Sequence, residues 1–124
     1  MATILVVDDE PAIRALVGRV LERQGHKVIL CQSAAEALAV PAPVDLLVVD
    51  LIIPDVNGRQ ITEQLRAMWP QLPVVVMSGY PPDPGTMPEA PSAFLQKPML
   101  PAAVVEAVEK LLTARDGLPS LLTS

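Results

Sequence analysis

Five short aliphatic runs divide this chain, and the best of them are apolar at consecutive rather than alternate positions. Thr3–Val7, the Leu-Leu-Val-Val within Asp45–Leu51, and Pro73–Met77 have this character, with shorter companions at Lys27–Cys31 and Ala93–Gln96. A strand whose neighbouring side chains are all apolar must be covered on both faces, which is the mark of a parallel sheet inside an α/β fold. Helical patterns fill the intervals. Ile13, Leu16, Val17, Val20 and Leu21 follow the i, i+3, i+4, i+7, i+8 spacing of one buried face. Pro11 and the acids before it suit the start of that helix, and Gly25 suits its stop. Ser33 with Glu36 reads as a capping box opening a short helix that Pro41 ends. A turn through Pro54, Asn57 and Gly58 leads to a helix carrying Ile61, Leu65 and Met68, closed before Pro70. The last helix, Pro101–Arg115, presents Val104, Val105, Val108, Leu111 and Leu112. Strands alternating with helices imply right-handed crossovers and helices on both sheet faces.

With 124 residues there is room for one domain, expected over 1–116, with 117–124 as a tail. Trp69, Tyr80 and Phe94 are the only aromatic residues, so the core is aliphatic. A formal charge of −5 argues against a nucleic-acid surface, which needs clustered Lys and Arg. Cys31 is the single cysteine, which excludes an internal disulfide and suits a reducing compartment; it reads as a small core hydrophobe. No apolar run reaches the roughly 18 residues of a membrane span, and the start lacks the basic character of a secretory signal. A cytoplasmic location without membrane insertion is therefore expected.

Ligands of open parallel sheets bind outside the carboxyl ends of the strands. Those ends carry Asp8-Asp9, Asp50, Ser78-Gly79 and Lys97-Pro98. Three carboxylates held together repel, and a hard divalent cation with oxygen ligands relieves the repulsion. Mg²⁺ in turn favours phosphate oxygens; Ser78 offers a hydroxyl donor and Lys97 a point charge. A carboxylate oxygen can then serve as nucleophile towards phosphorus. Taken singly, each pair also fits a plain role: Asp8-Asp9 a helix cap, Asp50 a strand terminator, the other two pairs turns. Their coincidence at four strand ends is what those roles leave unexplained. His26 follows the first helix and so belongs to the opposite sheet edge, where it reads as a solvated turn residue. Trp69 reads as packing there too, and Tyr80 as either a loop anchor or a pocket wall.

The series Leu5-Val6-Val7-Asp8-Asp9-Glu10-Pro11, Asp50 with Pro54 and Gly58, Ser78-Gly79 and Lys97-Pro98 resembles the receiver domain of bacterial response regulators. The likeness runs from Thr3 to about Arg115. It implies a flavodoxin-like, doubly wound, five-stranded parallel sheet of order 2-1-3-4-5. It also implies a two-component phosphorelay role, in which Asp50 accepts a phosphoryl group from a sensor histidine kinase or phosphotransfer domain and the chain signals to a downstream effector. By the same resemblance Asp8, Asp9, Asp50 and the backbone carbonyl of Ile52 serve Mg²⁺ (or Mn²⁺), with Asp8 acting largely through water. Ser78 and Lys97 hold the phosphoryl group, Phe94 is the aromatic switch, and Pro98 follows a cis peptide bond. Such a chain is no enzyme towards outside substrates.

One stretch departs from that pattern. Between the fourth and fifth strands the family has a helix, whereas here Pro81, Pro82, Pro84, Pro88 and Pro91 fall within residues 80–91. Each interior proline costs a helix about 3 kcal/mol, so an extended loop is expected, and dimerisation through that surface is in doubt. Ile52 and Tyr80, two residues after Asp50 and Ser78, occupy sites that line the path of the hydrolytic water in the family, and their bulk points to slow self-dephosphorylation. No output domain follows Arg115, which leaves a stand-alone regulator or the receiver module of a hybrid sensor kinase, with Met77–Tyr80 and Phe94–Pro98 closer to the second. Two other functions compete. A Mg²⁺-dependent phosphohydrolase would want a proton-transferring carboxylate where Ile52 stands, and a degenerate receiver would serve only as an interaction module.

Overall fold

A computed structural model of the chain describes residues 2–40, 43–53, 57–81, 85 and 87–116. Among these residues nine elements follow in order: β1 (Thr3–Val7), α1 (Pro11–Arg23), β2 (Lys27–Cys31), α2 (Ala34–Leu38), β3 (Leu46–Asp50), α3 (Gly58–Arg66), β4 (Val74–Ser78), β5 (Ser92–Gln96) and α4 (Pro101–Asp116). The strands form one sheet in the order β2-β1-β3-β4-β5, and every pairing is parallel. This is the doubly wound arrangement that the run pattern and the resemblance imply.

The consecutive apolar residues divide by the period of two. Leu5, Val7, Leu47, Val49, Val74 and Val76 pack with Ala34 and Ala37 of α2 and Ile61 and Leu65 of α3. Ile4, Val6, Leu46, Val48, Val75 and Met77 pack with Val17 and Leu21 of α1 and Val104, Val108 and Leu112 of α4. β3 and β4 are buried at every residue, which is why their sequences show no polar alternation. β2 lies at the sheet edge, and its Leu30 is correspondingly exposed.

Several local expectations need correction. α3 ends at Arg66, so Met68 lies beyond the helix and is half exposed instead of continuing its buried face. The acids expected in the first turn of α1 precede it: Glu10 is the N-cap and makes no side-chain capping bond. Ser33 Oγ does accept from Glu36 N, at 3.2 Å, but the Glu36 carboxylate accepts from Gln32 N instead of closing a box on Ser33. A complete capping box stands at α3, where Asn57 and Gln60 bond each other's backbone N–H groups.

His26 is not a solvated turn residue. Its side chain is 7% exposed, its Nδ1 accepts from Ala2 N at 3.1 Å, and its Nε2 lies 2.6 Å from Glu109 Oε2. With Nδ1 accepting, Nε2 carries the proton and ties the start of β1 to α4. Gly25 closes α1 with φ of 89°, a conformation that glycine adopts without Cβ strain. Trp69 packs against the α2–α3 side of the core, and Cys31 is buried there as a free thiol.

Between Ser78 and Ser92 no α-helix occurs among the described residues. Arg66 does the joining that a helix would otherwise do. Its guanidinium donates to Leu72 O (from Nε at 3.0 Å and Nη2 at 2.8 Å), to Glu89 O at 2.9 Å and to Pro91 O at 3.1 Å. Arg59 reaches Gly85 O from the same helix. Pro82, Pro84, Pro41, Pro54 and the expected tail 117–124 lie outside the described residues.

Candidate functional site

Parallel strands of matched register deliver their last residues to a common edge. Val7 pairs with Val49, Asp50 with Met77, and Ser78 with Gln96, so Asp8, Asp50, Ser78 and Lys97 emerge side by side. Asp8 and Asp50 are buried, Asp9 is exposed, and one carboxylate oxygen from each lies within 4.8 Å of the others. Asp9 and Asp50 share a shallow cleft of about 340 Å³ with Glu10, Ile52, Ser78, Gly79, Tyr80 and Lys97.

Lys97 is the electrostatic centre. Its ammonium stands 2.7 Å from Asp50 Oδ2, 2.8 Å from Glu10 Oε1 and 3.0 Å from Asp8 Oδ2. Burial alone would lower its pKa, but the carboxylates of Asp50, Glu10 and Asp8 outweigh burial and hold it above the ordinary lysine value. Asp8 moves the other way from a usual ion-paired acid. Its burial raises its pKa, despite the Glu10 N–H on Oδ1 and the nearby Lys97, and the Asp50 charge adds to the rise.

Backbone contacts fix the remaining groups. Ile52 N donates to Asp50 Oδ1 at 3.0 Å, and Leu51 N to Met77 O at 2.9 Å. Ser78 Oγ accepts from Tyr80 N at 3.2 Å, while Ser78 O accepts from Lys97 N at 2.8 Å, which couples the ends of β4 and β5. The Lys97–Pro98 peptide is cis, as is Ala90–Pro91. Phe94 is half-buried on β5 against the α2–α3 side of the core. Ile52 and Tyr80 both line the cleft and are 65% and 75% exposed, so Tyr80 forms a wall.

The donor set fits a divalent cation on an observation independent of any relative. Asp8 Oδ2 is fully buried, and although Lys97 lies near it, no hydrogen bond from the described residues reaches it. A buried carboxylate oxygen without a partner is costly, and a hard cation is the ligand that satisfies it.

Three residues here had no assigned role in the sequence reading. In the sequence Glu10 reads as a helix-start acid, although its place beside Asp8-Asp9 on the same strand end is a usable signal. Arg14 Nη1 donates to Asp8 O at 2.7 Å across six residues, a contact that no sequence pattern announces. Gly58 reads as a turn glycine, yet a Cβ there would stand 2.6 Å from Asp50 O. Only three-dimensional proximity reveals that.

Residues 4–109 match the family model described as the response regulator receiver domain. The transcriptional regulatory protein GlrR of Escherichia coli is 31% identical over 90% of this chain and 26% of its own length. The sensory/regulatory protein RpfC of Xanthomonas campestris is 33% identical over 98% of this chain and 18% of its own. The chain thus spans about a quarter or less of the length of these relatives. Among solved structures, the receiver domain from the hybrid histidine kinase CckA superimposes with a TM-score of 0.78 at 31% identity, covering 89% of this chain and 98% of that one. With the sheet order, the strand-end acids and nearly the whole length in agreement, this chain belongs to the response regulator receiver domain family of two-component signalling.

Proposed function

We propose that Asp50 is the phosphoacceptor and that the chain works as a phosphorylation-dependent switch. The observation that carries this is the placement of Asp50: buried, 2.7 Å from the Lys97 ammonium, and within 4.8 Å of the carboxylates of Asp8 and Asp9. An Asp50 oxygen would form a P–O bond as the P–N bond of a partner's phosphohistidine breaks, with the released imidazole taking a proton from solvent. Positioning and charge compensation do most of the work in such a transfer. Asp8, Asp9, Asp50 and the Ile52 carbonyl would hold Mg²⁺ or Mn²⁺, which when bound supplies positive charge against the phosphoryl oxygens. Ser78 accepts a hydrogen bond from Tyr80 N, so its hydroxyl is oriented and its proton is available to a phosphoryl oxygen.

Ser78 and Lys97 are joined through the Ser78 O to Lys97 N bond, so their shift towards a phosphoryl group would be felt along β5 at Phe94. That is the switch reading. The partners are then a sensor histidine kinase or phosphotransfer domain and a downstream effector, in the cytoplasm, with residues 1–116 as the receiver. No helix among the described residues is long and apolar enough to cross a membrane. The parent protein is proposed to be a hybrid kinase or a free regulator. Outside substrates would not be turned over: the site two residues after Asp50 is Ile52, which transfers no proton. Intact mass after incubation with Mg²⁺ and acetyl phosphate tests the reading. One added phosphate, absent in Asp50→Asn, is expected; an adduct that persists in Asp50→Asn refutes it.

A further inference from the structure

We infer that Glu10 is a positioning residue for phosphoryl transfer: it holds Lys97 in the resting chain and is the partner that yields most readily when a phosphoryl group arrives. The inference rests on the reading of Asp50 as phosphoacceptor.

An ammonium has three protons to donate. Lys97 Nζ has three carboxylate neighbours, Asp50 Oδ2 at 2.7 Å, Glu10 Oε1 at 2.8 Å and Asp8 Oδ2 at 3.0 Å. Two of its protons go to Asp50 and Glu10, and Asp8 is held by charge without a hydrogen bond, so an arriving phosphoryl oxygen competes with these carboxylates for one ammonium. The three do not leave at equal cost. Asp8 is fully buried, so losing Lys97 would strand a charge away from water. Asp50 is the acceptor itself and stays beside Lys97 on either side of the reaction. Glu10 has a side chain 58% exposed and can exchange the ammonium for solvent.

The Glu10 main chain is built to let only the side chain move. Its N–H donates to Asp8 Oδ1 at 2.8 Å, and its C=O accepts from Arg14 N at 3.0 Å at the start of α1. The carboxylate is thus an arm on a fixed base at the cleft mouth, and it opposes an anionic donor in two ways. It holds Lys97 charge back, and it places its own negative charge in the path.

The test compares wild type, Glu10→Gln and Glu10→Asp by initial rate of Mg²⁺-dependent phosphorylation, read by intact mass, with acetyl phosphate and with the less charged phosphoramidate. Glu10→Gln should react about two- to five-fold faster with acetyl phosphate, the scale of a half-exposed ion pair, and gain less with phosphoramidate. Glu10→Asp keeps the charge but is one methylene too short to hold the contact, so it should fall on the Glu10→Gln side. A donor-dependent gain is a readout that a merely structural role would not move. Equal rates in all three proteins, or a slower Glu10→Gln with an unchanged unfolding midpoint, overturn the inference while leaving Asp50 as acceptor. A wild-type chain that takes phosphate from neither donor and forms no Mg²⁺-dependent beryllofluoride complex overturns the phosphoacceptor reading, and this inference with it.

Discussion

Replacing Gly58 by alanine pits two effects of opposite sign against each other. Gly58 is the first residue of α3, and on helix propensity alone alanine there should stabilise the chain by up to about 1 kcal/mol. Space says otherwise. An added Cβ would stand 2.6 Å from Asp50 O, 3.0 Å from Leu51 Cα and 3.2 Å from Asp50 C, all of them main-chain atoms. Relaxing the first of these from 2.6 Å to an ordinary contact at 3.4 Å means a retreat of about 0.8 Å. The wall resists, because Gly58 N–H is bonded to Leu51 O at 2.8 Å, Leu51 N to Met77 O at 2.9 Å and Ile52 N to Asp50 Oδ1 at 3.0 Å. Overpacking of this kind costs about 1–3 kcal/mol, so the net expected loss is about 1–2 kcal/mol. For a domain of this size that lowers Tm by roughly 5–10 °C. The displaced atoms belong to the proposed acceptor residue, and a shift approaching 1 Å at a reacting group can slow chemistry by up to about 100-fold. Urea unfolding and the Mg²⁺-dependent phosphorylation rate should therefore both fall in Gly58→Ala. An alanine variant as stable as wild type, phosphorylated at the wild-type rate, would refute the reasoning.

Asp8→Asn should stabilise the metal-free chain by about 1–3 kcal/mol, the scale of an unsatisfied buried polar atom, while weakening Mg²⁺ binding; urea unfolding and calorimetric titration check the two halves. The pH dependence follows the same group. Because folding raises the Asp8 pKa above 3.8, the folded state binds the extra proton, and metal-free stability should fall as pH rises through the interval from 3.8 to the raised value. Asp8→Asn should lose that slope. Lys97 contributes oppositely: its pKa is raised on folding, so its stabilisation is complete below 10.5 and is lost only at higher pH. Arg66→Ala removes four hydrogen bonds to three carbonyls and should cost about 2–3 kcal/mol, with faster hydrogen exchange at Val74 N, which bonds Pro91 O. Arg66→Lys should recover only part, since an ammonium lacks the planar fork. With Ile52 and Tyr80 lining the cleft, the phosphorylated chain should lose its phosphate over minutes rather than seconds; loss within seconds in a mass time course would refute the slow-hydrolysis reading.

The parts legible in the sequence are those set by period and by chain breaks. β1, β3 and β4 read as buried strands because helices on both faces leave no polar side to alternate with, and their boundaries moved by only about one residue. The strand ends then placed Asp8, Asp50, Ser78 and Lys97 together without any knowledge of side-chain position. Contacts between residues far apart in sequence were not legible. Glu10 lies 87 positions from Lys97, and at a helix start an acid has a ready local explanation that conceals a distant one. His26 failed for the same reason. A polar residue after a glycine turn reads as solvated, and only the return of α4 with Glu109 shows that it is enclosed. Met68 was assigned by extending a period of 3.6 past the point where α3 stops. Periodicity says which face is buried but not where the helix ends.

Charge balance links the site to its need for a partner ion. The carboxylates of Asp9, Glu10 and Asp50 line the cleft and that of Asp8 is buried within reach of them, against the ammonium of Lys97. At 4 Å and an effective dielectric of about 20, each unscreened pair of like charges costs roughly 4 kcal/mol, so a phosphoryl donor bearing two negative charges meets a barrier before any bond changes. Lys97 alone does not remove it, because its one charge is shared among Asp50, Glu10 and Asp8. Two changes relieve the field: a divalent cation among the buried acids, and withdrawal of the exposed Glu10 arm. The first satisfies Asp8 Oδ2, which accepts no hydrogen bond from the described residues, and the second frees one proton of Lys97 for the phosphoryl group. On the proposed function, a site arranged this way would resist phosphate by its own charge until metal is bound. Phosphorylation should accordingly rise steeply with Mg²⁺ and less steeply in Glu10→Gln.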